Sequence, residues 1–205
     1  MTWIAWPPSA EANGRCSGDL LLEYRLALWQ NSTGAEIRQG LLCKRKDAER
    51  CKCFWKDDLS PLLDRVFAAD VLLIGSPIYL GDTTSQFHAF VERLHFCTLS
   101  YDDYSNYFTG KVKVGVIFTI NAPQAYYQLQ YRKKLTEQAN AFRSLGGKVQ
   151  TLCSFDTLQV KDYSKFSMAG FNAEHKKVHH EKQFPLDLEK ARQMGKEHAR
   201  LADAK

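Results

Sequence analysis

The sequence predicts a three-layer, doubly wound α/β domain with a parallel sheet. Two nearly continuous apolar or β-branched runs, "DVLLIG" (70–75) and "VKVGVIFTI" (112–120), have the character of parallel strands covered on both faces. Helical patterns follow each of them, so strand and helix alternate with crossovers long enough for right-handed βαβ units. A 205-residue chain that is 44% hydrophobic and 25% charged has the apolar material for one substantial core. A single domain over 1–205 is therefore expected.

The remaining elements follow in order. "TWIAW" at the start is a short candidate strand, placed by this architecture in the middle of the sheet, and "SGDLLLEYRLALW" (17–29) is a helix. "GAEIR" (34–38) is a short, edge-like strand. Leu59, Leu62, Leu63, Val66 and Phe67 mark one helical face, with Asp57 or Asp58 as its cap. Phe87, Phe90, Val91 and Leu94 give the i, i+3, i+4, i+7 face of another helix, capped by Thr83, Thr84 or Ser85. Tyr131, Leu135, Ala139, Phe142 and Leu145 line a third, ending at Gly146-Gly147. "KVQTLCSF" (148–155) is a weaker strand, and "PLDLEKARQMGKEHARLA" (185–202) is a last helix. Between them, 156–184 is weakly periodic, an excursion or an oligomerisation arm.

Charge narrows the partners. The formal net charge of +5 is mild and its basic residues are scattered among acids, which argues against nucleic acid and is compatible with a small anionic ligand. No apolar run approaches the about 18 residues of a membrane span. "MTWIAWPPSAEANGRCSG" lacks a basic segment followed by an apolar core, so no signal peptide is expected and the location is cytoplasmic. The six cysteines are then expected as thiols. Cys43, Cys51 and Cys53 form a C-x7-C-x-C cluster, whereas structural zinc wants four ligands in paired form, so no metal site is assigned.

Ligands of such sheets sit beyond the C-terminal strand ends. Two loops occupy that position. In "GSPIYLGDTT" (75–84), Pro77 holds Ser76 extended, Ile78, Tyr79 and Leu80 offer flat and apolar surface, and Gly81 lets the chain turn. In "FTINAPQAYY" (118–127), Thr119 and Asn121 add polar groups. One apolar, amide-rich loop beside one polar loop suits a heteroaromatic ring with carbonyls on its edge. A plain turn with no ligand is the alternative for "GSPIY" taken alone.

"DVLLIGSPIYLGDTTSQFHAFVERL" (70–94), followed by "GKVKVGVIFTINAP" (110–123), closely resembles the flavodoxin-like NAD(P)H-dependent FMN oxidoreductases, including their multimeric flavodoxin and iron–sulfur flavoprotein branches. The resemblance runs from about Cys43 to the last helix and implies a flavodoxin-like fold. It implies that Ser76, Pro77, Ile78, Tyr79, Leu80 and Gly81 pack on the FMN ring, with Thr119 and Asn121 in the second ring-contacting loop. Electrons would pass from NAD(P)H through FMN to a quinone, flavin, metal or protein acceptor, in a homo-dimer or homo-tetramer. Hydride transfer between stacked rings needs no side-chain acid or base, so no catalytic residue is assigned.

The family's phosphate loop corresponds here to "WPPSAEANGRCSG" (6–18). Ser9, Asn13, Gly14, Arg15, Cys16 and Ser17 are the implied phosphate contacts, although Ala5-Trp6 stands where Gly-Ser is usual and Cys16 where threonine is. The four-cysteine motif of the iron–sulfur branch is incomplete, which implies a flavin-only protein. Two alternatives stay open: an FMN-binding electron carrier without NAD(P)H activity, and a flavodoxin-like partner-binding scaffold that has lost FMN.

Overall fold

The computed structural model describes residues 3–6, 44–55 and 57–203. The helix expected at 17–29, the strand at 34–38, Cys43 and the phosphate contacts Ser9, Asn13, Gly14, Arg15, Cys16 and Ser17 lie outside the described residues.

The described elements are β1 (Trp3–Trp6), α1 (Leu59–Phe67), β2 (Val71–Pro77), α2 (Ser85–Thr98), β3 (Val112–Thr119), α3 (Gln124–Gln130), α4 (Arg132–Asn140), β4 (Gly146–Ser154) and α5 (Ala173–Asp203). The sheet has the order β1-β2-β3-β4. Strands β2, β3 and β4 are parallel, with Ile74 opposite Val116 and Val116 opposite Thr151. This is the three-layer, flavodoxin-like doubly wound arrangement that the apolar runs predict.

Strand alternation decides the two faces. Leu72, Ile74, Val114, Val116 and Phe118 are buried on the face covered by α1, α2 and the segment 132–145. Phe87 of α2 meets Phe118 at 6.1 Å and Phe142 at 5.9 Å between ring centroids, and Phe90 stacks on Phe142 at 6.4 Å. Burying each ring contributes about 1.5–3 kcal/mol, which makes this cluster the anchor of α2. The opposite face carries Leu73 and Gly115, and α5 packs there through Met194 and Gly195.

The caps follow the sequence. The Asp57 carboxylate accepts from the Leu59 and Ser60 amides at 3.2 and 3.1 Å, which starts α1. Thr84 accepts from the Phe87 amide at 3.3 Å and starts α2. The third expected helix forms as α4 followed by a 3-10 turn, Ala141–Leu145, which Gly146 closes at φ 72°, and the short helix α3 precedes it, beginning within the expected loop 118–127.

Two expectations need correction. Strand β1 is not central: it occupies the edge of the described sheet and pairs antiparallel with β2, Trp3 facing Ile74 and Trp6 facing Val71. A four-residue strand commits few ladder bonds, and an antiparallel edge on a parallel sheet is a common solution. The last helix starts at Ala173 rather than near 185 and runs through Pro185, taking in the second half of the supposed excursion. Asn172 begins it, its side-chain oxygen accepting from the His175 amide at 2.9 Å. Its first turns hide from periodicity because they bury Lys176, not an apolar stripe.

Candidate flavin-site loops

Three loops leave the C-terminal ends of adjacent parallel strands: 78–84 after β2, 120–123 after β3 and 155–160 after β4. Backbone bonds join them in series. The Ile78 amide donates to the Thr119 carbonyl at 2.9 Å, the Ile120 amide to Ser154 at 2.8 Å, and the Asp156 amide to Ala122 at 3.0 Å.

Within the first loop Ser76 and Pro77 still belong to β2, and Ser76 is buried. The Ser76 hydroxyl donates to the Pro77 carbonyl at 2.8 Å and accepts from the Thr84 amide at 3.1 Å, so it braces both ends of the loop from inside. Ile78 packs into the core. Tyr79 and Asp82 then exchange backbone bonds of 2.9 and 3.0 Å around Leu80 and Gly81. Both central residues lie at positive φ, 51° and 81°, as a type I′ turn requires. Glycine at 81 is also spatially required, since a Cβ there would come within 2.8 Å of the Tyr131 ring. Leucine at 80 is held in a left-handed conformation that costs about 1–2 kcal/mol. Tyr79 and Leu80 thus project from a rigid turn, Leu80 fully exposed.

A polar cluster fixes that turn from behind. Asp82 Oδ1 accepts from Gln138 Nε2 at 2.6 Å and from the Thr83 amide at 2.8 Å, and lies 3.0 Å from His88 Nε2. Lys134 pairs with its other oxygen. Burial pushes the Asp82 carboxyl up, but the hydrogen bonds from Lys134, Gln138, His88 and the Thr83 amide outweigh it and hold the group well below the usual carboxylate range. Lys134 and Gln138 sit four apart on α4 and so share one face.

In the second loop Thr119 is exposed and Asn121 half-buried. Asn121 Nδ2 donates to Gln159 Oε1 at 2.6 Å, while Asn121 Oδ1 is buried without a partner. Its carbonyl accepts from Lys176 Nζ at 2.5 Å. Lys176 also pairs with Asp156, and His175 and His179 approach the same carboxylate at 3.5 and 3.8 Å. Lys176 and Asp156 are both buried, so this ion pair fastens α5 to the floor of the second and third loops. Tyr127 packs on Phe155 at 5.0 Å, and burial raises its hydroxyl to about 12. Tyr127 is therefore a packing residue.

Of the implied contacts, Ser76, Pro77, Ile78, Tyr79, Leu80, Gly81, Thr119 and Asn121 are brought to one end of the sheet. Asp82, Lys134, Gln138, Gln159 and the Asp156–Lys176 pair join them, and sequence reading missed these. Two signals pointed there: "LGD" as turn chemistry, and Asp156 just past a predicted strand end. Among the described residues no group of three or more His, Cys, Asp or Glu side chains is arranged to hold a metal ion. Nor is any described helix long and apolar enough to cross a membrane.

Comparison with known proteins gives a family. The NADPH-dependent FMN reductase family matches residues 32–149, which contain the first two loops and more than half of the chain. No curated protein sequence matches. Among solved structures, the NAD(P)H:quinone oxidoreductase from Methanothermobacter marburgensis is similar at 14% identity, with a TM-score of 0.41 over 69% of this chain and 69% of that one. By its matched segment the chain belongs to the flavodoxin-like NADPH-dependent FMN reductase family.

Proposed function

We propose that this protein is an FMN-dependent oxidoreductase that moves electrons from NAD(P)H to a quinone, flavin, metal or protein acceptor. The observation that carries the reading is the junction of the two loops through the Ile78 amide and the Thr119 carbonyl, at 2.9 Å. It sets the exposed Tyr79-Leu80 turn beside the Thr119–Asn121 segment, an apolar surface next to polar groups.

The residues present fit a flavin. Asn121 Oδ1 is a buried acceptor with no protein donor, the kind of group that a ring N–H satisfies. Tyr79 and Leu80 would hold the ring's apolar part, with Ile78 anchoring them from the core, and Thr119 and Asn121 its polar edge. Bound FMN supplies the capacity to accept a hydride and release electrons singly or in pairs. The chain's own task is orientation. Ser76 and the Asp82 cluster keep the turn from collapsing, and the Asp156–Lys176 pair keeps Asn121 in place. No side chain is assigned as acid or base.

The test is the visible spectrum of purified protein before and after FMN addition, followed by anaerobic reduction with NADH and NADPH in parallel. Flavin absorbance that co-purifies or is restored, and bleaches with a nicotinamide, is the expected result. A colourless protein that ignores FMN would overturn the reading in favour of a partner-binding scaffold. Flavin that neither nicotinamide reduces would mark an electron carrier.

A further inference from the structure

Cys51, Cys53, Cys97 and Cys153 are the cysteines among the described residues, and all are thiols outside any disulfide. Cys53 differs from the others in what surrounds its sulfur. Arg93 Nη2 donates to Cys53 Sγ at 2.8 Å. The same guanidinium grips Asp57 by two bonds, 2.8 and 3.2 Å, and reaches Ser60 Oγ at 3.3 Å. Asp57 and Ser60 stand at the start of α1, while Arg93 comes from α2, so two helices fix the cation against the sulfur. Cys97 follows Arg93 by one helical turn on the same face and donates a hydrogen bond to Cys53. Cys53 also packs against the buried core cluster that contains Cys97.

These groups favour a thiolate. The hydrogen bond from Cys97 comes first, burial opposes it, and Ser60 and the Arg93 charge assist; together they pull the Cys53 thiol down to about 5. Burial pushes Cys51 and Cys153 the other way. Cys53 is half-buried and Cys97 fully buried, so only Cys53 offers an incoming oxidant a path.

We propose that Cys53 and Cys97 are a hydroperoxide-reactive dithiol, with Cys53 as the attacking sulfur and Cys97 as the resolving one. The Cys53 thiolate attacks the distal oxygen of a hydroperoxide. The O–O bond breaks, the sulfur loses two electrons, and the departing alkoxide or hydroxide takes a proton, leaving a sulfenic acid on Cys53. The Cys97 sulfur then attacks Cys53. An S–S bond forms, the S–O bond breaks, and the hydroxide leaves as water with the Cys97 proton. In sum, two thiols and one hydrogen peroxide give one disulfide and two waters, and a dithiol reductant returns the pair. No residue of the flavin-site loops takes part, so the proposal stands or falls apart from flavin binding.

The full-length, reduced chain is treated with one equivalent of hydrogen peroxide, alkylated and mapped by peptide mass. A Cys53–Cys97 disulfide that dithiothreitol reverses is expected. In Cys97→Ser a dimedone adduct should accumulate on Cys53, and in Cys53→Ser the Cys97 thiol should stay reduced. Without any variant, iodoacetamide at pH 6 should label Cys53 at least about tenfold faster than Cys51. Equal labelling of Cys51 and Cys53, oxidation that spares Cys53, or a sulfenic acid that never passes to Cys97 would each overturn the proposal.

Discussion

The Ile78 amide donates a 2.9 Å hydrogen bond to the Thr119 carbonyl, tying the loop after β2 to the last residue of β3. Pro77 and Thr119 are register partners, so this bond continues the sheet one step beyond the ladder. The consequence is that the exposed turn at Leu80 is a rigid extension of the sheet, not a hanging loop.

Leu80→Gly should separate the turn's structural role from its binding role. A glycine relieves about 1–2 kcal/mol of left-handed strain but adds about 0.5–1 kcal/mol of unfolded-state entropy. Urea unfolding should therefore show stability unchanged or raised by about 1 kcal/mol. FMN affinity should fall several-fold, because a fully exposed leucine contributes nothing to the core and its apolar surface is available only to a ligand. A stable variant with unaltered FMN affinity would remove Leu80 from the ring wall.

Asp82→Ala should cost about 0.5–1 kcal/mol at pH 7, a small figure because the pair with Lys134 is half-exposed and screened. The Asp82 carboxyl is held below its ordinary range despite burial, by Lys134, Gln138, His88 and the Thr83 amide. A depressed carboxylate stabilises the fold above its unfolded value, about 4, and loses that contribution as pH falls towards its folded value. Urea midpoints of the parent and the variant should thus differ at pH 7 and 5 and converge towards pH 3. A gap that stays constant with pH would mean that the carboxylate's charge is not what braces the turn.

How much of this was legible depends on the range of the contacts. The faces of α1 and α2 were readable because Leu59, Leu62, Leu63 and Val66, and Phe87, Phe90 and Leu94, all meet one core at helical spacing. Strands β2 and β3 were readable because burial on both faces leaves an unbroken apolar run. The turn from Tyr79 to Asp82 was readable because turn chemistry is local. The bracing was not: Asp82 finds Gln138 across 56 positions, and Arg93 finds Cys53 across 40. Nor does a pattern of residues reveal that Lys176 is buried or that a four-residue strand runs antiparallel.

His198 should make the fold sensitive to mild acid. It is completely buried on α5, and neither ring nitrogen has a partner. Burial lowers its affinity for a proton; Glu197 opposes that, and the charges of Lys148 and Lys113 reinforce it. A histidine depressed in the folded state favours folding above its unfolded value, about 6.5, and that stability is lost as pH falls through the folded value. Thermal unfolding followed from pH 7.5 to 5 should show a falling midpoint, and His198→Leu should flatten the slope. An equally steep slope in the variant would assign the acid sensitivity elsewhere.

Gly147 and Gly115 should respond very differently to the same added methyl group. A Cβ at Gly147 would lie 2.1 Å from the Val112 carbonyl oxygen and 2.4 Å from its carbon, both backbone atoms of the neighbouring strand. Neither can move without parting β4 from β3 at the start of their ladder, where the register is already irregular between Val112 and Val114. A Cβ at Gly115 would meet Leu73 Cδ2 at 2.5 Å and Met194 Cε at 2.9 Å, the flexible ends of two side chains that can change rotamer. Gly147→Ala should therefore cost about 3 kcal/mol or more, and Gly115→Ala about 1–2 kcal/mol, by urea unfolding. Equal losses at the two positions would mean that the β3–β4 approach at Val112 is looser than its geometry requires.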